Sequence, residues 1–453
     1  MKKTLLDMTV GKPEKLIIAF ALPLFLGNFF QQLFIIGDTM IVGHLLGDHA
    51  LAAVGATGPI YLLLMTFLNG SAQGFAMILA RFFGAKDSEG VKKAAGASVV
   101  LALLMTLVFT IGGFFIAYPL LNLLNTPDYI LADAQIYLRI MFAMLAFTMA
   151  FHTTSGMLQA LGNSKVPLYT LSSSLVLNIF LSFWFVSPNG LDLGVAGAAW
   201  GTVLAQLLAA TLNTLFIWKK LPELHLTWKH LKPERPLLKE IFQLAASIGF
   251  GNSIIQIGSV ILQFAINGFG VYTITAFTTA RKVFGITFMP LMSTGNAVAT
   301  YTSQNLGANK HDRIPKGLAA GMKIASIWAT LCIIMAFTIG ENVVQFMSGS
   351  ENYQVIQEAA HYLRITLPFL YPLCALVLYK SFYSGLGNKK LPVITSIIEL
   401  FGKVLSTLFL IPHLGFMGVA LTEPLIWVVA GSLMLVAVHK GSLPFKSQKL
   451  NKA

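Results

Sequence analysis

Residues 161–167 read LGNSKVP and residues 386–392 read LGNKKLP, so one short polar stretch occurs twice, 225 positions apart. Three further blocks repeat in the same order: YLRI at 137–140 and 362–365, Gly-Ala at 84–85 and 307–308, and LGVAG at 193–197 with LGFMG at 414–418. Four blocks repeated in one order predict that the chain is built from two similar halves.

Apolar sequence surrounds the repeated blocks. The 453-residue chain is 56% hydrophobic and 11% charged, with a mean hydropathy of +0.73, whereas soluble proteins carry about 25% charged residues. Lipid must therefore be the solvent for most of the chain, and spans in lipid are helices because lipid offers the backbone no hydrogen-bond partner. A span needs roughly 20 apolar residues, and such stretches lie at 16–42, 51–80, 94–117, 134–160, 167–187, 194–218, 241–268, 273–303, 315–340, 357–384, 391–411 and 415–438.

The predicted fold class is an all-α integral membrane protein, with twelve transmembrane helices as two parallel-repeat six-helix bundles around a central cavity. The repeat is parallel because each half has an even number of spans, so both halves start and end on the same side. The predicted domains are an N-terminal six-helix lobe (1–218), a cytoplasmic linker (219–240), a C-terminal six-helix lobe (241–440) and a cytoplasmic tail (441–453).

The basic residues predict the orientation of the chain. Of 31 Lys and Arg, 24 fall in the two tails and in the loops on the same side, whereas the five opposite loops hold none. Cytoplasmic loops are enriched in Lys and Arg, so we expect a multi-pass protein of the inner (cytoplasmic) membrane with both termini in the cytoplasm. This placement explains the net charge of +13 without a nucleic-acid partner.

A parallel duplication of this kind suits alternating access, in which a site between two lobes is exposed to each side in turn. The alternative is that the duplication built only a scaffold. The chain has no GxxxxGK[ST], HExxH or GxSxG motif, so we expect neither an ATP-driven pump nor an enzyme, and an ion gradient should supply the energy. The expected partners are a small-molecule substrate and membrane lipids, and the chain is expected to be a monomer.

Asp38 needs an explanation because it lies deep in the first span. An ionisable group at a helix centre costs about 2.5–3.5 kcal/mol on insertion scales, and Asp38 shares a helical face with Asn28 and Gln31. Since a carboxylate removed from water takes up a proton more readily, Asp38 is a candidate proton- or cation-coupling acid, and Asn28 and Gln31 are candidate cavity residues. The alternative is an aspartate tied into a structural hydrogen-bond network.

The later spans also carry polar and charged side chains. Asn252 and Gln256 lie on one face of the seventh span, where they either line the cavity or bond neighbouring helices. Charged residues lie further on, and they are Arg281, Lys282, Glu399, Lys403 and Glu423. Arg281 and Glu399 are candidate cavity residues, and the four-residue spacing of Glu399 and Lys403 permits an intrahelical ion pair. The alternative is that these charges only neutralise one another.

Several short stretches carry a family resemblance: GDTMIVGHLLG at 37–47, RFFGAK at 81–86, the two GN-x-x-x-P elements, LNI at 177–179 and GVAGAA at 194–199. By these stretches, over roughly residues 15–440, the chain resembles bacterial members of the multidrug and toxic compound extrusion (MATE) family. That family lies within the wider multidrug/oligosaccharidyl-lipid/polysaccharide exporter superfamily. The resemblance implies two six-helix bundles that export amphipathic, often cationic, compounds by antiport with protons or sodium ions.

The resemblance also implies a coupling site that joins a first-span Asp to a fifth-span Asn and Asp and a sixth-span Thr. Asp38, Asn178 and Thr202 match this pattern, but Ser182 stands where the family has its second acid. The missing acid weakens a sodium site of hard oxygen ligands, which favours H+ over Na+ as the coupling ion. No cofactor and no metal is expected.

A second function keeps the fold and changes the cargo. Related duplicated bundles flip lipid-linked sugars, so the alternative is a flippase or exporter of a lipid-linked or anionic metabolite. The second-half cations Arg281, Lys282 and Lys403 would suit an anionic head group.

Overall fold

The computed structural model describes residues 5–349 and 351–439 of the chain. Over these ranges the chain is helical, without a strand, and it divides into two units. The first unit comprises residues 5–7 and Pro23–Gly249, and the second unit comprises Met8–Leu22 and residues 250–439. The predicted cytoplasmic tail, residues 441–453, lies outside the described residues.

Long helices joined by short turns make up the first unit. They are α1 (Pro13–Gly84, whose residues up to Leu22 belong to the second unit), α2 (Ser88–Leu123), α3 (Asp128–Ala143), α4 (Leu145–Ala160), α5 (Lys165–Val186), α6 (Gly194–Lys220) and the beginning of α7 (Arg235–Ile266). The Asp87 side chain caps the start of α2 by accepting a hydrogen bond from the Gly90 N–H, which satisfies a donor that the first helical turn leaves free. Helices α3 and α4 are bent by 48° where they meet.

Helix α1 contains two spans. Its 72 residues, at 1.5 Å per residue, would extend about 108 Å, more than three times the roughly 30 Å of a bilayer core. The helix breaks at Gly47, where φ is +79° and ψ is −174°, a conformation that glycine adopts readily because it has no Cβ. The predicted spans at 16–42 and 51–80 leave a loop between them, but the structure has a kink at one residue there, with helix on both sides.

The second unit continues from the rest of α7. It contains α8 (Val271–Gly307), α9 (Arg313–Thr338), α10 (Gly340–Ser348), α11 (Tyr353–Thr366), α12 (Leu370–Gly385), α13 (Leu391–Leu405), α14 (Ile411–Leu414) and α15 (Phe416–His439). Between α13 and α14, Ser406–Leu410 forms a π-helical turn. In such a turn each backbone hydrogen bond joins residues five apart instead of four. Turns of this kind are frequent at functional sites.

These helices account for the twelve predicted spans. Among the described residues, nine helices are long and apolar enough to cross a membrane, and the bent pair of α3 and α4 makes a tenth. Division of α1 at Gly47 adds the eleventh. Helix α8 is the twelfth, since its 37 residues exceed the roughly 20 that a span needs, although its many polar residues lower its hydropathy.

The two halves repeat in backbone geometry as well as in sequence. Matched positions have the same positive φ: +84° and +77° at Gly162 and Gly387, +57° and +56° at Gly194 and Gly415, and +57° and +54° at Lys86 and Asn309. The side chain of Asn163 accepts a hydrogen bond from the Val166 N–H at 3.0 Å, and Asn388 accepts one from the Leu391 N–H at 3.1 Å. The same turns therefore start the same helices in both halves, which confirms the predicted duplication.

Ion pairs hold the segment predicted as a linker within the first unit. Arg81 makes two hydrogen bonds to the Glu240 carboxylate, at 2.9 and 3.0 Å. Lys93 Nζ donates to Glu234 at 2.8 Å, and this bond, with the charge of Lys93, lowers the pKa of Glu234. Both pairs are partly or fully exposed, so each contributes little stability on its own.

Candidate functional site

Three helices of the first unit bring polar side chains together at Asp38. Asp38 lies on α1, Ser182 on α5 and Thr202 on α6. The Ser182 hydroxyl donates to Asp38 Oδ1 at 2.9 Å, and the Thr202 hydroxyl donates to Oδ2 at 2.6 Å. Each carboxylate oxygen therefore accepts one hydroxyl hydrogen bond, and the two donors come from different helices.

Asn178 adds an amide to this group from one turn before Ser182 on α5. Its Nδ2 donates to Ser182 Oγ at 3.2 Å, and both side chains are fully buried, with 0% exposure. Its Oδ1 is buried with no hydrogen-bond partner among the described residues. The structure thus brings the four predicted coupling residues to one place: Asp38, Asn178, Ser182 and Thr202, here called the Asp38 cluster.

The Asp38 cluster lacks a basic partner. In the described part of the chain, no Lys, Arg or His forms an ion pair with Asp38, and its direct contacts are to hydroxyl and amide groups. Asp38 is partly buried, and a carboxylate that is partly removed from water with no cation beside it is costly. The described residues include no group of three or more His, Cys, Asp or Glu that could hold a metal ion.

A glycine lets α5 and α6 approach closely at the cluster. A Cβ at Gly201 would lie 2.4 Å from Ser182 Oγ and 2.9 Å from the Ser182 backbone nitrogen. Both distances are shorter than van der Waals contact, so Ser182 can hold its place beside Asp38 only because residue 201 has no side chain. Beyond the cluster, Val42 and Val203 are buried in an apolar core shared by α1, α3, α5 and α6.

Side chains that the sequence did not single out lie beside the cluster. Gln206, one turn further along α6, donates to the Tyr61 hydroxyl at 3.4 Å and accepts a hydrogen bond from Thr148. Tyr61 and Tyr137 lie near enough to Asp38 to interact with its charge. Gln206 could have been found from the sequence, because it lies four residues after Thr202 on the same helix. Tyr61 lies on α1 beyond the break at Gly47, Tyr137 on α3 and Thr148 on α4, and no sequence spacing connects them to Asp38.

The other predicted polar cavity residues lie elsewhere. Asn28 and Gln31 precede Asp38 on α1 by about 15 and 10 Å at 1.5 Å per residue. Asn28 is partly buried and Gln31 is exposed. Asn252 and Gln256, one turn apart on α7 in the second unit, are both partly exposed. None of these side chains hydrogen-bonds to Asp38, so they are not part of its cluster.

Charged residues of the second unit form a separate group around Glu423 of α15. Arg281 of α8 donates to Glu423 Oε2 at 2.6 Å, and Lys403 Nζ of α13 lies 3.5 Å from Glu423 Oε1. Lys403 also donates to Ser259 of α7 at 2.8 Å. The pair that the spacing of Glu399 and Lys403 permits is not formed, because Lys403 binds Glu423 across the helix interface. Arg281 and Lys403 therefore share one carboxylate within the unit, whose single negative charge balances one of their two positive charges.

The same residues fall within a sequence that matches a known family. The MatE family model matches the chain twice, at residues 23–184 and 247–407. The first match contains Asp38, Asn178 and Ser182, and the second contains Arg281, Glu399 and Lys403. Together the two matches cover most of the chain, one in each half of the duplication.

Relatives and solved structures agree with this match. The chain is 29% identical over 368 residues to the probable multidrug resistance protein YpnP of Bacillus subtilis (strain 168), covering 80% of this chain and 81% of YpnP. It is 25% identical over 426 residues to the probable multidrug resistance protein YoeA of the same organism, covering 92% and 91%. Its fold is similar to that of an outward-facing multidrug resistance MATE family transporter of the MOP superfamily, with a TM-score of 0.88 and 21% identity over 100% of this chain and 99% of that one. With the family model matched in both halves of a twelve-span duplicated bundle, the chain belongs to the MatE family of membrane transporters.

Proposed function

We propose that the chain exports amphipathic, often cationic, organic compounds across the cell membrane in exchange for protons, by alternating access. In this proposal Asp38 binds and releases the coupling proton. The observation that carries it is the Asp38 carboxylate itself, which accepts one hydroxyl hydrogen bond on each oxygen and has no cationic partner among the described residues. The names of the relatives YpnP and YoeA, both probable multidrug resistance proteins, support drug-like cargo.

Hydroxyl groups suit a carboxylate that changes its protonation state. An ionised carboxylate only accepts hydrogen bonds, whereas a protonated one also donates. Because a hydroxyl can do either, Ser182 and Thr202 can serve both states by rotating. The unpartnered Asn178 Oδ1 offers a further acceptor within the cluster. Protonation of Asp38 would therefore exchange hydrogen bonds rather than leave one unmade.

The charge of the cluster favours a proton over a sodium ion. A hard cation is bound by several oxygen ligands at once, and its affinity rises with the number of charged ligands. The cluster has one carboxylate, since Ser182 occupies the place of the family's second acid. A proton needs only that one carboxylate, whereas a sodium ion would depend on neutral oxygens for the rest of its coordination.

Protonation supplies a physical cause for movement. Hydrogen bonds to an ionised carboxylate are roughly twice as strong as neutral ones, so the charged Asp38 ties α1 firmly to α5 and α6. Neutralisation by a proton from outside weakens both bonds and frees α1 to shift as substrate leaves outward. Return to the inward-open state then releases the proton to the cytoplasm, and the two charged hydrogen bonds form again. The Lys and Arg distribution supports this orientation, with both termini in the cytoplasm.

The test is dye transport by purified full-length protein in liposomes, with an imposed proton gradient compared against an imposed sodium gradient. A fluorescent cationic dye reports transport. The variant is Asp38→Asn, which keeps the shape and cannot ionise, and the matched control is Asp48→Asn, an exposed acid on the same helix. Size-exclusion profiles establish that each variant is folded.

We expect the proton gradient to drive export by the native chain and by Asp48→Asn, and Asp38→Asn to fall to the rate of empty liposomes. Full proton-driven export by a folded Asp38→Asn variant would refute the proposal. Export driven by sodium alone would refute the choice of coupling ion and leave the assignment of Asp38 to be tested with sodium.

The alternative cargo, a lipid-linked or anionic metabolite, has less support. It depends on the second-half cations, and two of these, Arg281 and Lys403, already bind Glu423. Lys282 is exposed rather than gathered with them. No cluster of free cations of the kind that a phosphorylated head group would need is found in the described part of the second unit.

A further inference from the structure

The segment between α6 and α7, residues 221–234, folds back onto the first unit. His225 Nε2 donates to the carbonyl oxygen of Trp218, in the last turn of α6, at 2.6 Å, and so satisfies an acceptor that a helix end leaves free. Leu221 and Leu224 are 1% and 4% exposed. The segment therefore begins by turning back along α6 rather than extending away from it.

His230 then fixes the segment to α2. The ring of His230 accepts a hydrogen bond from the Thr227 N–H at 3.0 Å and lies 3.2 Å from Glu89 in the first turn of α2. A Cβ at Gly96 would lie 2.6 Å from the His230 carbonyl carbon, so the segment packs directly on that glycine. Gly96 is the third residue of the span predicted at 94–117. The middle of the segment therefore lies at the depth where this span begins.

Two tryptophans are exposed beside this contact. Trp228, two residues before His230, is 84% exposed, and Trp218 is 66% exposed. An indole has an apolar ring and a polar N–H, and tryptophan is enriched where a bilayer meets water because that layer suits both parts. Lipid head groups and the upper parts of acyl chains are therefore the surroundings that two such exposed indoles fit.

The same region carries an excess of positive charge. Of its acids, Glu234 and Glu240 are each paired with a cation of α2 or α1, and Glu223 is the one without an ion pair in the described ranges. Six exposed cations form no ion pair with any residue that the structure describes, and they are Lys219, Lys220, Lys229, Lys232, Arg235 and Lys239.

We propose that Trp228, Lys229 and Lys232, here called the Trp228 surface, bind the head group of an anionic phospholipid. Lys229 and Lys232 bind the phosphate oxygens, and the Trp228 indole packs against the glycerol and the first part of the acyl chains. The other exposed cations of the segment add to the positive field around the site. The inference is independent of the proposed transport function.

The two lysines of the Trp228 surface are held in one turn. The Lys232 N–H donates to the Lys229 carbonyl oxygen at 3.2 Å, and His230 between them is anchored on α2. Basic residues that only set the orientation of a chain need no fixed structure. A fixed surface loses less conformational entropy when it binds, and each lysine beside an anionic membrane raises affinity about fivefold.

Trp228 favours a lipid over a soluble anion. A free phosphate compound would engage the lysines and leave the indole exposed to water. A phospholipid offers the anionic group and an apolar part in one molecule, next to a span that already lies in lipid. The charge of the lysines favours an anionic lipid over a zwitterionic one, whose choline group would lie close to them.

The test is a ligand titration of purified full-length protein in micelles of a neutral detergent. Phosphatidylglycerol and phosphatidylcholine with identical acyl chains are compared with glycerol 3-phosphate, a soluble anion. Tryptophan fluorescence reports binding, and so does the melting temperature, because a ligand of the folded state stabilises it. The variants are Trp228→Phe and the double variant Lys229→Gln/Lys232→Gln. The matched control is Lys86→Gln/Lys165→Gln, which removes two other exposed lysines of the first unit.

The native chain should bind phosphatidylglycerol at least about tenfold more tightly than phosphatidylcholine, on the scale of two lysines beside an anionic lipid. Its fluorescence should shift to shorter wavelength, and glycerol 3-phosphate should have no effect. Lys229→Gln/Lys232→Gln should lose most of the preference, and the control should retain it. Trp228→Phe should abolish the fluorescence shift. Added salt should weaken the binding of phosphatidylglycerol, because salt screens exposed charges.

Equal affinity of the native chain for the two lipids would overturn the inference. So would an undiminished preference in a folded Lys229→Gln/Lys232→Gln variant, with folding checked by size-exclusion profile. An equal loss in the control would assign the preference to overall charge instead of the Trp228 surface. Tight binding of glycerol 3-phosphate would make the surface a site for a soluble phosphate compound, and a shift that persists in Trp228→Phe would place the lipid elsewhere.

Discussion

At the scale of single residues, two carboxylates within the spans are held in different ways. Asp38 accepts hydrogen bonds from two hydroxyls, which can reverse their direction. Glu423 lies between two cations, Arg281 and Lys403, which can only donate. The first arrangement suits a group that gains and loses a proton, and the second suits a group that stays ionised and holds three helices together.

We therefore expect Glu423→Gln to destabilise the protein by about 3–5 kcal/mol, the usual loss when one partner of a buried ion pair is removed. The glutamine would leave Lys403, with a side chain 5% exposed, and Arg281 without a contacting counter-charge. Chemical unfolding of the purified protein in detergent measures the change in the free energy of unfolding.

The matched control for this substitution is Glu341→Gln. It breaks a pair of similar length, Arg364 to Glu341 at 2.9 Å, but both side chains are at least 32% exposed. Exposed pairs contribute at most about 1 kcal/mol, so the control should differ little from the native chain. Equal losses in the two variants would contradict the structural role assigned to Glu423.

Residue positions were predictable where a local pattern or the family resemblance marked them. Asp38 could be identified because it is an ionisable residue within a long apolar stretch. The resemblance located Asn178, Ser182 and Thr202, which the structure brings to Asp38. The partner of Lys403 was not predictable. Its spacing allows Glu399, but the choice of Glu423 depends on how closely α13 packs against α15, and no local pattern reports that distance.

At the scale of helices, close packing of α5 on α6 positions the Asp38 cluster. We expect Gly201→Ala to destabilise the protein by about 1–3 kcal/mol, as overpacking does, because the new Cβ would lie 2.4 Å from Ser182 Oγ. It should also lower proton-driven dye export, since Ser182 must move away from Asp38. Unfolding in detergent and transport in liposomes measure the two effects.

Gly112→Ala provides the comparison for this packing effect. Gly112 lies within α2, and a Cβ there would meet nothing within 4 Å. Alanine is the better helix former by about 1 kcal/mol, so this variant should be neutral or slightly more stable, with native transport. If Gly201→Ala behaved in the same way, the close approach of α5 and α6 would not be what positions Ser182.

Helices were predictable in number and approximate extent, because each needs a long apolar stretch and charged turns separate them. Their irregularities were not. The sequence around Gly47 reads as a loop, but the structure continues α1 through it with one glycine kink. The π-helical turn after α13 leaves no composition signal, since its residues are as apolar as those of a regular helix.

At the scale of the whole molecule, the duplication preserved turns and let the charges diverge. Gly162 and Gly387 keep the same positive φ, because the chain must turn in the same way at the same place in both halves. Asp38 has no acidic counterpart one repeat later, where residues 259–263 read SVILQ. A sequence repeat therefore predicts the scaffold well and predicts the sites poorly, since each half places its charged residues differently.

Orientation is the remaining whole-molecule prediction, and the two native cysteines make it testable. Cys332 and Cys374 are 3% and 2% exposed, so replacing both with alanine should give a background that still exports dye. Asp128 and Lys229 are exposed and lie in segments predicted on opposite sides. In that background, Asp128→Cys should react with a membrane-impermeant maleimide in intact cells, whereas Lys229→Cys should react only in inverted vesicles. The reason is that the loops rich in Lys and Arg stay in the cytoplasm. The reverse labelling pattern would place both termini outside the cell. The coupling proton would then have to reach Asp38 from the side of the protein that bears the two termini.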